Sequence, residues 1–169
     1  MMRILFPILL LAACSQGRGD SGGDNAAVPA GQSGSAARSS PGGPITTLTG
    51  LYEGGGETGP KNQMCMVDPS GETARFGLVI WGAEQHSCSG SGTAVRSGER
   101  LQLKMTGDEA CTVDARISGS EVILPDSVPD GCAYYCGARA RMTGARFTQV
   151  GTGRDDAGKA KDLVGDPLC

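Results

Sequence analysis

The sequence predicts an all-β domain, a small antiparallel barrel or sandwich of about eight short strands with a short C-terminal helix and disulfide staples. Three observations carry this expectation. Apolar and polar residues alternate at period two, glycine-containing turns recur at short intervals, and Cys65, Cys88, Cys111, Cys132, Cys136 and Cys169 are spread through the same region.

The first candidate strands are 48–53, 64–68, 73–81 and 92–96. In 99–106, Leu101, Leu103 and Met105 alternate with Arg100, Gln102 and Lys104. In 111–117, Cys111, Val113, Ala115 and Ile117 alternate with Thr112, Asp114 and Arg116. This is the pattern of half-buried strands. Gly107-Asp108-Glu109 suits a hairpin between the two, and Ser118-Gly119-Ser120 turns the chain into a strand at 121–124. Segments 134–142 and 145–149 complete a meander. On 134–142 the alternation sets Tyr134, Cys136, Ala138, Ala140 and Met142 toward the core, with Tyr135, Arg139 and Arg141 outward. The tail, 155–164, has helical character with Asp155 or Asp156 as N-cap, and Cys169 is expected to pin it to the barrel.

The domain, 47–169, is long enough for one modest core, yet it is rich in glycine and poor in aromatics, with one Trp, three Tyr and three Phe in the whole chain. Disulfides compensate for such a core. Three bridges would each contribute ~2–4 kcal/mol, although six cysteines allow about 15 pairings and spacing does not choose among them.

The start of the chain has the layout of a secretory signal, too short to span a bilayer: Arg3, an apolar run from Ile4 to Ala13 interrupted by Pro7, then Leu11-Ala12-Ala13-Cys14. This tetrapeptide resembles the lipobox of bacterial lipoprotein precursors. The resemblance implies a signal peptide at 1–13, fatty acylation of the Cys14 thiol as with palmitate, cleavage before it, and acylation of the new amino terminus. Several chains on one residue, at ~0.8 kcal/mol per buried CH₂, would hold the protein firmly to a membrane. It also removes the odd member from a set of seven cysteines and leaves the other six to pair. Ser15, where Asp would act as a retention signal, is similar to cargo sorted to the outer membrane. The implied address is the cell envelope, lipid-anchored and facing the periplasm or cell surface.

Segment 14–46 is Gly, Ser, Ala and Pro with scattered charges, and its larger apolar residues are Val28 and Ile45. Such a composition does not bury enough surface to fold, and it reads as a tether on the order of 30 Å in end-to-end distance. Arg18-Gly19-Asp20 within it is an incidental tripeptide of a Gly-rich spacer.

Several constellations touch on chemistry. Segment 153–160 stops short of a P-loop because Ala160 follows Lys159 where Ser or Thr is needed to hold magnesium. It reads as a surface turn and helix, with no nucleotide. His86, the one histidine, supplies a base for a hydrolase only if an acid and a nucleophile converge on it. Cys111, Cys132, Cys136 and His86 can be drawn as a zinc site, but an oxidising compartment favours disulfides, so no metal and no cofactor is expected. A net charge of −3 argues against indiscriminate nucleic-acid binding. Arg100, Lys104, Arg116 and Arg146 point outward from different strands, as a basic stripe or as a solvated exterior paired with Asp114 and Glu99.

The candidate recognition loop is 125–136, which carries two prolines, two cysteines and adjacent tyrosines. Rigid loops with amphipathic aromatics bind at low entropic cost. Tyr135, Arg139 and Arg141 are its candidate binding residues. The leading expectation is a non-enzymatic envelope lipoprotein whose barrel binds an envelope protein or glycan. In general plan it is similar to the small barrel lipoproteins that inhibit lysozymes or proteases, without the lysozyme-inhibitor motifs. The alternative is an envelope hydrolase that uses His86.

Overall fold

A computed structural model describes residues 42–55, 59–107 and 111–169. The expectations for the signal segment, Cys14, Ser15 and the tether up to residue 41 lie outside these residues, as do Asp108 and Glu109.

Eight strands run in chain order: β1 Gly50–Gly54, β2 Asn62–Val67, β3 Thr73–Trp81, β4 Ser87–Ser97, β5 Arg100–Met105, β6 Thr112–Ser118, β7 Glu121–Ile123 and β8 Arg146–Thr152. Each pairs antiparallel with its sequence neighbour, and β8 returns to β1 to give a closed barrel. Closure satisfies both edges of the sheet, which would otherwise be templates for aggregation. Between the barrel and the sandwich that the pattern allowed, the chain adopts the barrel.

The alternation in β5 and β6 places Leu101, Leu103, Met105, Val113, Ala115 and Ile117 inside, and Arg100, Gln102, Lys104, Asp114 and Arg116 outside. Tyr52, Phe76 and Phe147 are the largest side chains of the filled interior. β4 is longer than its apolar pattern suggests, because Ser87 to Ser91 is polar and glycine-rich yet pairs throughout with β3, from Trp81↔Ser87 to Gly77↔Ser91. Tertiary pairing here overrides weak strand propensity.

Both mouths are closed by chain. At one, Ile45 and Leu48 are buried and the Ile45 amide donates to Gly119 O at 2.9 Å. At the other lies the long connection between β7 and β8. Every buried side-chain nitrogen and oxygen among the described residues has a hydrogen-bond partner. Residues 42–169 therefore hold the barrel's core and its three disulfides in one unit.

Two expectations are corrected. Segment 134–142 is not a strand: Asp130–Tyr135 forms a 3-10 helix and the following residues cross the barrel mouth. The sheet closes through β8, so no edge is left for a ninth strand. The helix expected at 155–164 is a single turn, α1, Arg154–Ala157, with Gly153 as N-cap. Beyond it the tail is a strap that doubles back through a turn closed by a Lys161–Pro167 bridge, and Ala157, Ala160 and Leu168 pack on Leu51, Cys65 and Val67 on the outside of β1 and β2. No helix among the described residues is long and apolar enough to cross a membrane.

The bridges are Cys65–Cys169, Cys88–Cys136 and Cys111–Cys132. The first anchors the strap to β2, as expected for Cys169. The other two tie the β7–β8 connection to β4 and to the start of β6.

Candidate functional site

The connection 124–145 is clasped at its base, where Leu124 N–H donates to Ala145 O at 2.8 Å and Gly144 N–H donates to Pro125 O at 2.9 Å. Pro125 and Pro129 limit its backbone, and the 3-10 turn that follows Pro129 buries Cys132. Cys132 and Cys136 then fasten the two sides of that turn to different parts of the barrel. The Gly137 amide donates to Ser87 O at 2.8 Å, and the Ala83 amide donates to Arg139 O at 3.2 Å. The connection thus forms a cap across one mouth, held by covalent and backbone bonds rather than by side-chain packing alone.

The tyrosines reverse their expected roles. Successive residues of a helical turn diverge by far less than the 180° of a strand, so Tyr135 turns inward and Tyr134 outward. Tyr135 is half-buried and its hydroxyl donates to Thr106 O at 2.9 Å. Tyr134 is 77% exposed and meets the Tyr135 ring edge-on, centroids 5.1 Å apart. Gly90 beneath them leaves room for the ring, since a Cβ there would fall 2.9 Å from Tyr135 Cδ1. Arg139 and Arg141 are exposed and Ala140 and Met142 buried, in line with the alternation, whereas Ala138 is exposed.

Arg139 pairs with Glu84. Glu84 and Gln85 both have positive φ, 54° and 60°. Two consecutive non-glycine residues in this region are strained, and such a turn persists where its surroundings determine it. Here the Arg139 carbonyl and guanidinium do so. Arg141 makes no ion pair among the described residues and lines a pocket of about 390 Å³ with Val128, Pro129, Cys132, Ala140 and Met142. Asp130 and Thr143 add polar groups to its wall.

The His86 ring lies against Gly137, where an added Cβ would be 2.9 Å from Nδ1. Among the described residues no hydrogen bond joins that ring to a carboxylate or hydroxyl, so the geometry assembles no triad there. The zinc arrangement is not formed, because Cys111, Cys132 and Cys136 are all disulfide-bonded. No group of three potential metal ligands occurs among the described residues. Segment 153–160 is a turn and α1, tied to the barrel by the Gly153 amide donating to Thr49 O at 3.1 Å.

Sequence reasoning located the loop and its two arginines. It missed Tyr134 as the outward ring, Asp130 and Val128 as pocket wall, and Glu84 as the partner of Arg139. The 3-10 turn after Pro129 was the available signal for Tyr134; the others depend on tertiary contacts. No family model, curated protein or solved structure matches this chain.

Proposed function

We propose that this protein is a lipid-anchored bacterial envelope protein whose barrel is a non-enzymatic binding module, with the 124–145 cap as its recognition surface. The observation that carries this reading is the cap itself: two disulfides fix an exposed Tyr134, Arg139 and Arg141 beside a pocket. A rigid aromatic and guanidinium set binds a partner with little ordering cost. The lipobox-like segment before Cys14 supports the anchor. Ile45 joins the barrel at the mouth opposite the cap, so a tether entering there leaves the cap free to meet an envelope protein or a glycan. The plan suits an inhibitor-type role, in which a fixed surface occupies another protein's site.

The test has two arms. Palmitate labelling of cells that express the protein should mark the wild type and not Cys14→Ser; equal labelling removes the anchor. Immobilised 42–169 should retain an envelope component that Tyr134→Ala/Arg141→Ala releases, and deletion of the gene should alter lysozyme sensitivity if the partner is a lysozyme. Identical retention by both forms would remove the cap as the recognition surface.

A further inference from the structure

We infer that the pocket between the two limbs of the cap takes the free carboxyl terminus of a peptide that ends in small apolar residues. The inference rests on the cap being the recognition surface and names what that surface reads. One limb contributes Val128 and Asp130 to the pocket, and the other contributes Arg141, Met142 and Thr143. Cys132, Ala140 and Met142 are only 1%, 6% and 1% exposed and make an apolar floor, whereas Asp130, Arg141 and Thr143 are exposed and make a polar rim. Arg139 is paired with Glu84, but Arg141 makes no ion pair among the described residues. Asp130 makes none either. A guanidinium and a carboxylate thus stand on opposite limbs of one pocket without neutralising each other.

A ligand that suits both groups has an anion and a hydrogen-bond donor close together on an apolar body. The carboxyl terminus of a peptide is such a set. Its carboxylate meets the planar Arg141 fork in two parallel hydrogen bonds, the N–H of its last residue donates to the Asp130 carboxylate, and its last side chain rests on the apolar floor. Thr143, two residues along the same limb as Arg141, adds a hydroxyl donor. A carboxylate at the end of a glutamate side chain has no such donor beside it, and a phosphate brings no apolar body to the floor. The volume of about 390 Å³ lies at the low end of the ~300–1,000 Å³ range of small-ligand sites, which fits a chain end and not a folded segment. Two disulfides and the Ala140 amide, which donates to Gly137 O at 3.0 Å, hold the limbs in place. The pocket is therefore formed before the ligand arrives, which lowers the cost of binding.

The test titrates 42–169 with N-acetyl-Ala-Ala and follows backbone amide shifts by NMR, with changes expected within 128–143. The carboxamide N-acetyl-Ala-Ala-amide and the side-chain acid N-acetyl-Glu-amide should each bind at least ~tenfold more weakly. The ester analogue N-acetyl-Ala-lactate, in which oxygen replaces the last N–H, should bind several-fold more weakly. Arg141→Gln should weaken the acid at least ~tenfold and abolish its advantage over the carboxamide. Arg141→Lys keeps the charge without the fork and should fall between the two, which preserves the test if the glutamine form folds poorly. No shift changes within 128–143, equal binding of acid and carboxamide, or equal binding by wild type and both Arg141 variants overturns the proposal. Binding of N-acetyl-Glu-amide as tightly as the acid also overturns it. Retention of an envelope component that Tyr134→Ala alone releases, without peptide binding, overturns this ligand and leaves the cap as a recognition surface. Peptide binding without such retention supports the ligand and counts against the wider surface.

Discussion

Inside the barrel the Gln149 side-chain amide donates a hydrogen bond to the Tyr52 hydroxyl 3.1 Å away. The same amide reaches Thr47 O at 3.0 Å, and the Tyr52 hydroxyl donates to Leu48 O at 2.8 Å. Two strands, β1 and β8, and the segment that closes one mouth are thus joined by one polar pair. Tyr52→Phe should lower unfolding free energy by about 1 kcal/mol, and Gln149→Ala by ~1–3 kcal/mol, with the double variant costing less than the sum. Urea denaturation of the four forms reads this coupling.

Burial raises the Tyr52 hydroxyl well above the ordinary value of 10.0, against smaller opposing effects from Arg96 and the Gln149 hydrogen bond. The unfolded chain therefore loses this proton first. The stability it contributes is present in full below the unfolded value and declines as pH rises above it, by up to about 1.4 kcal/mol per pH unit. Tyr52→Phe should flatten that alkaline decline in a series of denaturation curves; an unchanged slope would contradict the assignment.

Gly77 lies beneath the strap, and a Cβ there would stand 2.5 Å from Leu168 O. Since the clash is with backbone, Gly77→Ala should displace the strap at a cost of ~1–3 kcal/mol. Faster hydrogen exchange at the Leu168 amide, which donates to Ala160 O at 3.0 Å, is the specific readout.

Cys65–Cys169 joins residues 104 positions apart, whereas Cys111–Cys132 joins residues 21 apart. In the chain-entropy description the longer loop constrains the unfolded state more, by about 1.4 kcal/mol. Replacing Cys65 and Cys169 by alanine should therefore lower the denaturation midpoint more than replacing Cys111 and Cys132. For Cys88 and Cys136, 48 positions apart, an intermediate loss of midpoint is expected, together with loss of binding.

Tyr134 and Tyr135 should separate cleanly. Tyr134→Ala removes an exposed ring and should change stability by less than about 0.5 kcal/mol. Tyr135→Phe loses the bond to Thr106 O and should cost about 1 kcal/mol.

The barrel was legible because β3, β5 and β6 show an uninterrupted apolar pattern that survives folding. β4 was seen only in part, since Ser87 to Ser91 has no apolar face of its own and becomes a strand by pairing with β3. The cap misled for a related reason. Arg139 to Met142 does alternate in burial, but it does so while crossing a barrel mouth, and one-dimensional alternation does not distinguish that path from a ladder. The disulfide set was readable by parity once Cys14 is set aside, whereas the pairing depended on the register that brings Cys65 beside the strap. Arg100 and Arg116 were visible as outward charges; that they face each other required the register of β5 on β6.

Closure of β8 on β1, reinforced by Cys65–Cys169, has a consequence for biosynthesis. Strand β1 has no second neighbour until β8 arrives, and the outer bond waits for Cys169. A chain delivered from its N-terminus can build β1 to β7 as an open meander with two bare edges, and only the last stretch from Arg146 seals it. Release of an incomplete chain would leave those edges to pair with one another between molecules, so the tail governs solubility as well as shape.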